Sequence, residues 1–397
     1  MRLRYLLAIV VFALVAASCS SADDSAATDE GTGDVEETVE NTVDDTASDA
    51  PAEDLEAGDS ESDEAVELTE NEDSEPESTT TTEAVPEETG DFGPVSLAPD
   101  CANLPDVSVG LSTSVLNSGG NDYTFQYTVP SSYDGSPLPV VLDFHGIGSN
   151  GAQQAVFSGW ASAAELQGFV SVQPTGLSAN GDDRASWELP QFDTSERDDI
   201  AFVVDLIDVI SSQVCVDPAR IYSTGMSNGG LFTSTVVCEL SERIAAAVSV
   251  AGVTHHESCS PTRAVPYLAF HGTADTVVPF NGGGESTLDG ADLSGDFFEQ
   301  VIPDEFAEFA DSTGCTSSTD TSITPEVTLT SYTGCRDGAP LGFYTIEGGG
   351  HTWPGSPISA AIESLGFTNT DISATEIAWE FFSQHALGGA TPEAEVG

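Results

Sequence analysis

The chain has 397 residues, of which 67 are acidic and only 8 are basic, so its formal net charge is −59 at pH 7. Nucleic acid and anionic membrane surfaces repel a chain this acidic, and we expect neither of them as a partner. The acidic residues are densest in the N-terminal quarter, and the remaining residues, about 300, are enough for one large domain with a sizeable core.

The N-terminus has the features of an export signal. Arg2 and Arg4 precede the apolar run 6–15, which is too short to span a bilayer and ends in small residues. We therefore predict a cleaved signal peptide over residues 1–18 and an extracellular or cell-surface location. Residues 16–19, Ala-Ala-Ser-Cys, also resemble the lipobox of bacterial lipoproteins, although Ala16 stands where leucine is usual. Lipidation at Cys19, the one membrane attachment that we predict, has ordinary signal-peptide cleavage as its alternative.

Residues 19–98 have the composition of a disordered acidic tether. Between positions 20 and 91 there is no Lys or Arg, and 28 positions are Asp or Glu. Such a segment cannot bury enough apolar surface to offset the entropy lost on ordering, and its like charges repel. We predict that a folded domain over residues 99–390 follows the tether and that residues 391–397 form a disordered tail.

Six cysteines remain when Cys19 is set aside, and an even number in an exported chain predicts three disulfides. One pair brackets a polar loop, a second brackets the segment from a helix through the next strand, and the last two cysteines are left to each other. No Cys-x-x-Cys spacing or nearby Cys/His cluster indicates a metal site, and we predict neither metal nor cofactor. Spacing thus favours Cys315 with Cys335, Cys238 with Cys259, and Cys101 with Cys215.

Predicted strands and helices alternate along the domain. Nearly continuous apolar runs, such as 139–145, indicate strands that are buried on both faces. This alternation predicts an α/β fold with a mostly parallel sheet and helices on both faces. The predicted strands are 122–130, 139–145, 168–174, the run ending at 224, 244–251, 267–271 and 342–346. The predicted helices are 154–167, 199–213, 231–240, 297–311 and 374–387.

The most informative motif is Gly-x-Ser-x-Gly at residues 225–229, which stands between a predicted strand and a predicted helix. In that context it indicates a nucleophile elbow. Gly225 and Gly229 have no Cβ, so the strand and the helix can close around a strained turn that exposes the hydroxyl of Ser227.

A serine hydroxyl needs an adjacent imidazole as base, and the imidazole needs a carboxylate to orient it. Asp275 and His351 each follow a later predicted strand, and ligands of open α/β sheets lie beyond the carboxyl ends of the strands. The order Ser227, Asp275, His351 is that of α/β-hydrolases. We predict these three residues as the catalytic triad.

Other acids and histidines fit these roles less well. Only Asp275 stands just beyond a strand between the serine and the histidine, whereas Asp198, Asp199 and Asp304 do not. His271 is interpreted as a structural hydrogen-bonding residue, and His145 as a residue that shapes a strand-exit turn. His255, His256 and His385 are assigned to loop, rim or packing positions.

Two backbone amides are predicted to stabilise the oxyanion of acyl transfer. The first is the N–H of Asn228, which follows the nucleophile, and its side chain is left to orient loops. The second is the N–H of Ile147, after the His145–Gly146 turn, for which a plain strand-exit turn is the alternative. We include His145, Trp187 and Trp353 as candidate substrate-binding residues, with core or loop packing as the alternative for the two tryptophans.

Five separated motifs stand out in the domain, at residues 142–146, 217–230, 238–247, 265–275 and 348–355. Together they resemble the polyhydroxybutyrate depolymerase-like family of secreted bacterial esterases, which includes feruloyl and acetylxylan esterases. The likeness runs over about residues 105–388. It implies an α/β-hydrolase fold, the triad above, and disulfides near the elbow and before the final strand. No separate polymer-binding module is visible, so attack on solid polyester is not expected.

The sequence therefore predicts a secreted, monomeric serine esterase that acts on polyester oligomers or on acyl groups linked to plant polysaccharide. A peptidase or acyltransferase with the same triad is the alternative among enzymes. An inactive, surface-tethered binding protein and a structural envelope protein are the alternatives outside enzymes.

Overall fold

A computed structural model describes residues 99, 101–102, 104–178, 184–189, 197–256, 258–283 and 301–389. The predicted signal peptide, Cys19, the acidic tether and the C-terminal tail lie outside these residues. Within them, no helix is long and apolar enough to cross a membrane.

The described residues contain twelve β-strands and six α-helices. Ten of the strands form one sheet, and two short strands form a separate hairpin. The strands are β1 (Gly110–Ser118), β2 (Asn121–Val129), β3 (Leu138–Phe144), β4 (Val170–Pro174), β5 (Leu177–Ser178), β6 (Ala185–Ser186), β7 (Val216–Met226), β8 (Ala246–Val250), β9 (Tyr267–Gly272), β10 (Ser317–Thr324), β11 (Val327–Thr333) and β12 (Leu341–Ile346). The helices are α1 (Gly151–Ser158), α2 (Trp160–Gln167), α3 (Asp199–Gln213), α4 (Asn228–Glu239), α5 (Ile302–Ser312) and α6 (Ala374–Phe382).

The large sheet has the order β1-β2-β4-β3-β7-β8-β9-β12-β11-β10. Its six middle strands, β4 to β12 in that order, are parallel to one another, and antiparallel pairs extend it at both edges. The parallel strands β4, β8 and β9 are buried along their whole length, as strands covered on both faces must be.

Two apolar clusters cover the two faces of the sheet. One contains side chains of α3, α4 and α5, and the other contains side chains of α2 and α6. Successive residues of β3 alternate between the clusters: Val140 and Leu142 join the first, and Val141 joins the second. A mostly parallel sheet between two helical layers is the α/β-hydrolase fold that the sequence predicts.

Five strands escape prediction from the sequence: β1, β10 and β11 of the large sheet, and the two-residue strands β5 and β6. β1 is half-exposed along its length, and β10 is almost wholly exposed, so neither has the apolar run that marks a buried strand. The segment between Cys315 and Cys335, predicted as a polar loop, is instead the hairpin of β10 and β11. The prediction of a polar loop is therefore wrong. Edge strands rich in Ser and Thr resemble a loop in composition.

The bounds of several helices also differ from those predicted, and α4 begins at Asn228, three residues before the predicted start at 231. The predicted helix 154–167 is two helices, since Gly159 between them has a left-handed backbone with φ of 77°. The C-terminal helix ends at Phe382, five residues before the predicted end at 387. Residues 297–300 of the predicted helix 297–311 lie outside the described part, and α5 runs from Ile302 to Ser312.

The cysteine pairing agrees with the spacing. The structure joins Cys101 to Cys215, Cys238 to Cys259 and Cys315 to Cys335. The first bridge links the segment before β1 to the start of β7, and the third closes the base of the β10–β11 hairpin.

Candidate active site

Ser227 occupies a strained turn between β7 and α4. Its backbone has φ of 57° and ψ of −125°, a combination that residues other than glycine rarely adopt. A Cβ at Gly229 would overlap the carbonyl oxygen of Phe144, and a Cβ at Gly225 would overlap that of Gly229. The two glycines therefore allow the close approach that the motif predicts, and the turn has the geometry of a nucleophile elbow.

Asp275 and His351 lie together at the same edge of the sheet as Ser227. They follow β9 and β12, which are adjacent parallel strands, and β8 alone separates β9 from β7. The Nδ1 atom of His351 lies 2.8 Å from Oδ2 of Asp275, although the residues are 76 positions apart. The loops after these two strands are joined further by the N–H of Ala274, which donates to the carbonyl of Gly349 at 2.8 Å.

The carboxylate of Asp275 is saturated with donors. Its Oδ1 accepts the backbone N–H groups of Val277 and Val278 at 2.8 and 2.9 Å. Its Oδ2 lies 3.3 Å from Nε2 of His271 as well as 2.8 Å from His351. Burial would raise the pKa of this carboxyl, but attraction to His351 and hydrogen bonds from both imidazoles hold the pKa well below its usual range.

These contacts fix the protonation pattern of the pair. An ionised Asp275 accepts a hydrogen bond from the Nδ1–H group of His351. This tautomer leaves Nε2 of His351 as the basic nitrogen. His271, predicted as a structural hydrogen-bonding residue, places its Nε2 between the carbonyl of Val278, at 2.9 Å, and the carboxylate of Asp275. The sequence places His271 close to Asp275 along the chain but does not reveal that it donates to this carboxylate.

The strand-exit turn after β3 packs directly against the serine. A Cβ at Gly146 would lie 3.1 Å from Cβ of Ser227 and 3.6 Å from its Oγ. Ile147 follows in the same turn, and Asn228 is the first residue of α4. Of the two residues predicted to supply oxyanion donors, Asn228 therefore directly follows Ser227, and Ile147 directly follows a glycine that packs against Ser227.

His145 is buried beneath this turn, with no exposed surface. Its Nε2 accepts the N–H of Gly176 at 3.0 Å, so Nδ1 carries the proton and donates to the carbonyl of Gly146 at 2.7 Å. Burial lowers the pKa of His145 to about 4, against the opposing effect of its bond to Gly146. A neutral, fully buried imidazole shapes the turn, and these contacts favour that role over contact with substrate.

The two candidate tryptophans are buried as well. Trp187 is 2 % exposed, and its indole N–H donates to the carbonyl of His145 at 3.0 Å. Trp353 is 1 % exposed, and its indole N–H donates to Oγ1 of Thr375 at 2.9 Å. These contacts favour the packing alternative for both residues.

The structure brings His256 into contact with a disulfide, which the spacing of these residues does not indicate. Ligand atoms of His256, Cys238 and Cys259 all lie within 4.8 Å of one another. Both sulfurs are joined in a disulfide, whereas a zinc ligand is a cysteine thiolate. The cluster is therefore not a metal centre in the oxidised protein.

Comparisons with known proteins agree with the family resemblance. The model of the prolyl oligopeptidase family matches residues 167–260, which include the elbow. The chain is 32 % identical over 228 residues to feruloyl esterase B of Piromyces equi, covering 56 % of this chain and 41 % of that protein. It is 25 % identical over 257 residues to a bifunctional acetylxylan esterase/xylanase of Neocallimastix patriciarum, covering 63 % and 32 % of the two chains. It is 28 % identical over 171 residues to poly(3-hydroxyalkanoate) depolymerase C of Paucimonas lemoignei, covering 42 % and 41 %.

The matched region is thus less than half the length of each of these three relatives. The resemblance to feruloyl esterases, acetylxylan esterases and polyhydroxyalkanoate depolymerases is confirmed at the level of sequence relationship.

Proposed function

We propose that this chain, a relative of feruloyl and acetylxylan esterases, is a serine hydrolase of carboxylic esters. In this proposal Ser227 is the nucleophile, His351 is the general base and Asp275 orients the base. The observation that carries it is the hydrogen bond of 2.8 Å between His351 and Asp275, at the sheet edge where Ser227 occupies a strained elbow.

Acylation begins when Nε2 of His351 takes the hydroxyl proton of Ser227 and Oγ forms a bond to the ester carbonyl carbon. The carbonyl oxygen becomes an oxyanion, which accepts the backbone N–H groups of Asn228 and Ile147. When the carbonyl forms again, the bond to the alkoxy oxygen breaks. The alcohol leaves with the proton that His351 held, and Ser227 carries the acyl group.

Deacylation repeats the sequence with water as the nucleophile. His351 takes one proton from the water as its oxygen bonds to the acyl carbon. Collapse of the second tetrahedral intermediate breaks the bond to Oγ of Ser227, which regains the proton from His351. The products are one carboxylic acid and one alcohol.

For the substrate, we infer neutral esters of aromatic or short acyl groups, such as feruloyl and acetyl esters of plant polysaccharide or oligomers of hydroxybutyrate. The names of the relatives support this range. The charge of the chain supports neutral substrates, because 67 acidic residues against 8 basic ones repel anions.

We also propose that the chain is exported through residues 1–18 and held at the cell surface by a lipid on Cys19. The apolar run that ends in Ala-Ala-Ser-Cys supports export. The three disulfides support an oxidising compartment.

A peptidase is the second candidate, because the prolyl oligopeptidase family model matches the segment around the elbow. The triad chemistry itself serves both amides and esters. Ester and anilide substrates therefore have to be compared on the same protein.

The test is a panel of p-nitrophenyl esters, methyl ferulate, acetylated xylan, hydroxybutyrate oligomers and peptide p-nitroanilides. We expect ester hydrolysis by the wild type and a loss of about 10⁴-fold or more in kcat for Ser227→Ala. Ser223→Ala is the matched control, since Ser223 is a buried serine earlier in the same strand. Turnover of anilides alone would replace the esterase by the peptidase, and a Ser227→Ala variant as active as the control would overturn both.

A further inference from the structure

Trp187, the residue after β6, makes hydrogen bonds to both arms of the site that flank Ser227. We propose that Trp187 is a positioning residue that fixes the turn after β3 and the start of α4 relative to each other. The inference rests on the proposed esterase function, because it concerns the two backbone amides assigned to the oxyanion hole.

The first arm is the turn at His145 and Gly146. The indole N–H of Trp187 donates to the carbonyl of His145, and the imidazole of His145 donates to the carbonyl of Gly146. In a planar trans peptide the carbonyl and the following N–H point in opposite directions. Holding these two carbonyls therefore also fixes the directions of the N–H groups of Gly146 and Ile147.

The short hairpin of β5 and β6, which precedes Trp187, holds the turn after β3 at one more point. The N–H of Gly148 donates to the carbonyl of Ala185, in β6, at 2.8 Å. The turn is thus held on both sides of Ile147, by His145 and Gly146 before it and by Gly148 after it.

The second arm is Asn228, whose side chain brackets the backbone of Trp187. The N–H of Trp187 donates to Oδ1 of Asn228 at 2.7 Å, and Nδ2 of Asn228 donates to the carbonyl of Trp187 at 3.1 Å. The pair of bonds fixes which end of the amide is oxygen and which is nitrogen. The same two bonds hold Asn228 in place, and the backbone N–H of Asn228 is the first proposed oxyanion donor.

The indole itself has little freedom to move. Its ring is stacked on Phe232 with centroids 5.2 Å apart, and Phe144 meets it edge-on at 5.1 Å. Gly176 is required beside it, since a Cβ there would overlap the carbonyl of Ser186 and lie 3.4 Å from the indole. Trp187 is therefore a rigid bridge between the arms, and none of its bonds requires contact with substrate.

A rigid bridge matters because oxyanion donors act without reorganisation only when their directions are set before the reaction. A displacement of about 1 Å can cost about a hundredfold in rate. The contribution of Trp187 should therefore be seen in turnover and not in ground-state binding.

The experiment compares Trp187→Phe, Asn228→Ala and the double variant with the wild type. Trp187→Phe keeps an aromatic ring in the core but removes the donor to His145. Asn228→Ala keeps the backbone N–H but removes the side-chain bonds to Trp187. The matched control is Tyr222→Phe, which removes a part-buried hydrogen bond of 2.9 Å to the carbonyl of His385. Tyr222 is in the same strand as the elbow, but it packs in the apolar cluster on the other face of the sheet from Trp187.

We expect kcat to fall about tenfold to a hundredfold in each single variant, with KM changed less than about threefold. The inhibition constant of a boronic acid that mimics the tetrahedral intermediate should rise in proportion to the loss in kcat/KM. The double variant should lose less than the product of the single losses, because both substitutions break one bridge. Tyr222→Phe should keep the wild-type kcat per serine titrated with a fluorophosphonate.

Two results would overturn the positioning role: a kcat of Trp187→Phe and Asn228→Ala equal to that of Tyr222→Phe, or a loss confined to KM. If Trp187→Phe does not fold, Asn228→Ala decides alone, since it leaves the indole in the core. An inactive wild type whose Ser227 does not react with the fluorophosphonate would instead reject the esterase function. The two failures are therefore distinguishable.

Discussion

At the scale of single residues, the proposed nucleophile Ser227 is one of three described residues other than glycine that have a positive φ. Its φ of 57° with ψ of −125° belongs to a region that is favourable only for glycine. The turn therefore costs stability while it holds Oγ beyond the end of β7.

This strain predicts that Ser227→Gly is more stable than Ser227→Ala. Both variants lack the nucleophile, so they differ mainly in backbone preference. Relief of strain should exceed the greater chain entropy of glycine and leave an advantage of about 1 kcal/mol in the free energy of unfolding. Urea denaturation of the two inactive variants measures the difference, and an advantage for alanine would show that the turn is not strained.

A second residue-scale effect concerns Asp143, which is fully buried in β3. Ser158 Oγ lies 2.7 Å from Oδ2 of Asp143 and 2.8 Å from the carbonyl of Gln154, but a hydroxyl has only one proton to donate. A protonated Asp143 resolves this shortage by donating to Ser158. Burial raises the pKa of Asp143 to about 7, although hydrogen bonds from Ser158 and Gln154 oppose the rise.

The pH dependence follows from the sign of that shift. Between pH 4 and 7 the folded state holds a proton that the unfolded chain has released, so stability falls as the pH rises. The rise from 3.8 to about 7 corresponds to a loss of about 4 kcal/mol. Asp143→Asn should remove this slope, because its amide can donate to Ser158 and accept from Gln154. Urea denaturation at pH 5 and pH 8 should show about 3 kcal/mol of this loss, because the carboxyl of the unfolded chain is already ionised at pH 5. Parallel pH profiles of the variant and the wild type would contradict the prediction.

At the scale of elements, the sequence predicts the parts of the fold that are apolar and local. The buried parallel strands and α3 are found where periodicity predicts them, and the glycines of the elbow allow the expected approach. The hairpin of β10 and β11 is missed because β10 is exposed, β11 is only partly buried, and the position of β11 depends on its pairing with β12. The bridge through Trp187 is missed because it depends on which backbone atoms a folded hairpin brings near.

The β10–β11 hairpin gives a prediction for its disulfide. Replacing both Cys315 and Cys335 by Ser should lower the free energy of unfolding by about 2 to 4 kcal/mol, since the bridge closes a loop with a sequence separation of 20. The matched control replaces Cys238 and Cys259, whose separation is 21. On loop entropy alone the two double variants lose equally, and chemical denaturation measures both. A Cys315/Cys335 variant as stable as the wild type would show that this disulfide does not contribute to the stability of the folded state.

At the scale of the whole molecule, charge is the dominant feature. Of the formal net charge of −59, residues 99–390 carry 37 acidic and 6 basic side chains. Repulsion among these charges opposes the compact state of the domain, and salt screens the repulsion between exposed charges. We expect NaCl between 0.05 and 0.5 M to raise the free energy of unfolding by about 1 kcal/mol, measured by urea denaturation at pH 7. A midpoint that falls with salt would mean that attractive ion pairs outweigh the repulsion.

The most direct test of the proposed reaction is also made on the whole protein, by measuring the mass of the intact chain. The oxidised, folded chain is incubated with a fluorophosphonate, its intact mass is measured, and the modified peptide is sequenced. A serine hydrolase should gain one phosphonyl group, on Ser227, in the wild type and in Ser223→Ala but not in Ser227→Ala. An unmodified wild type, or a label that persists in Ser227→Ala, would contradict the assignment of Ser227 as the nucleophile.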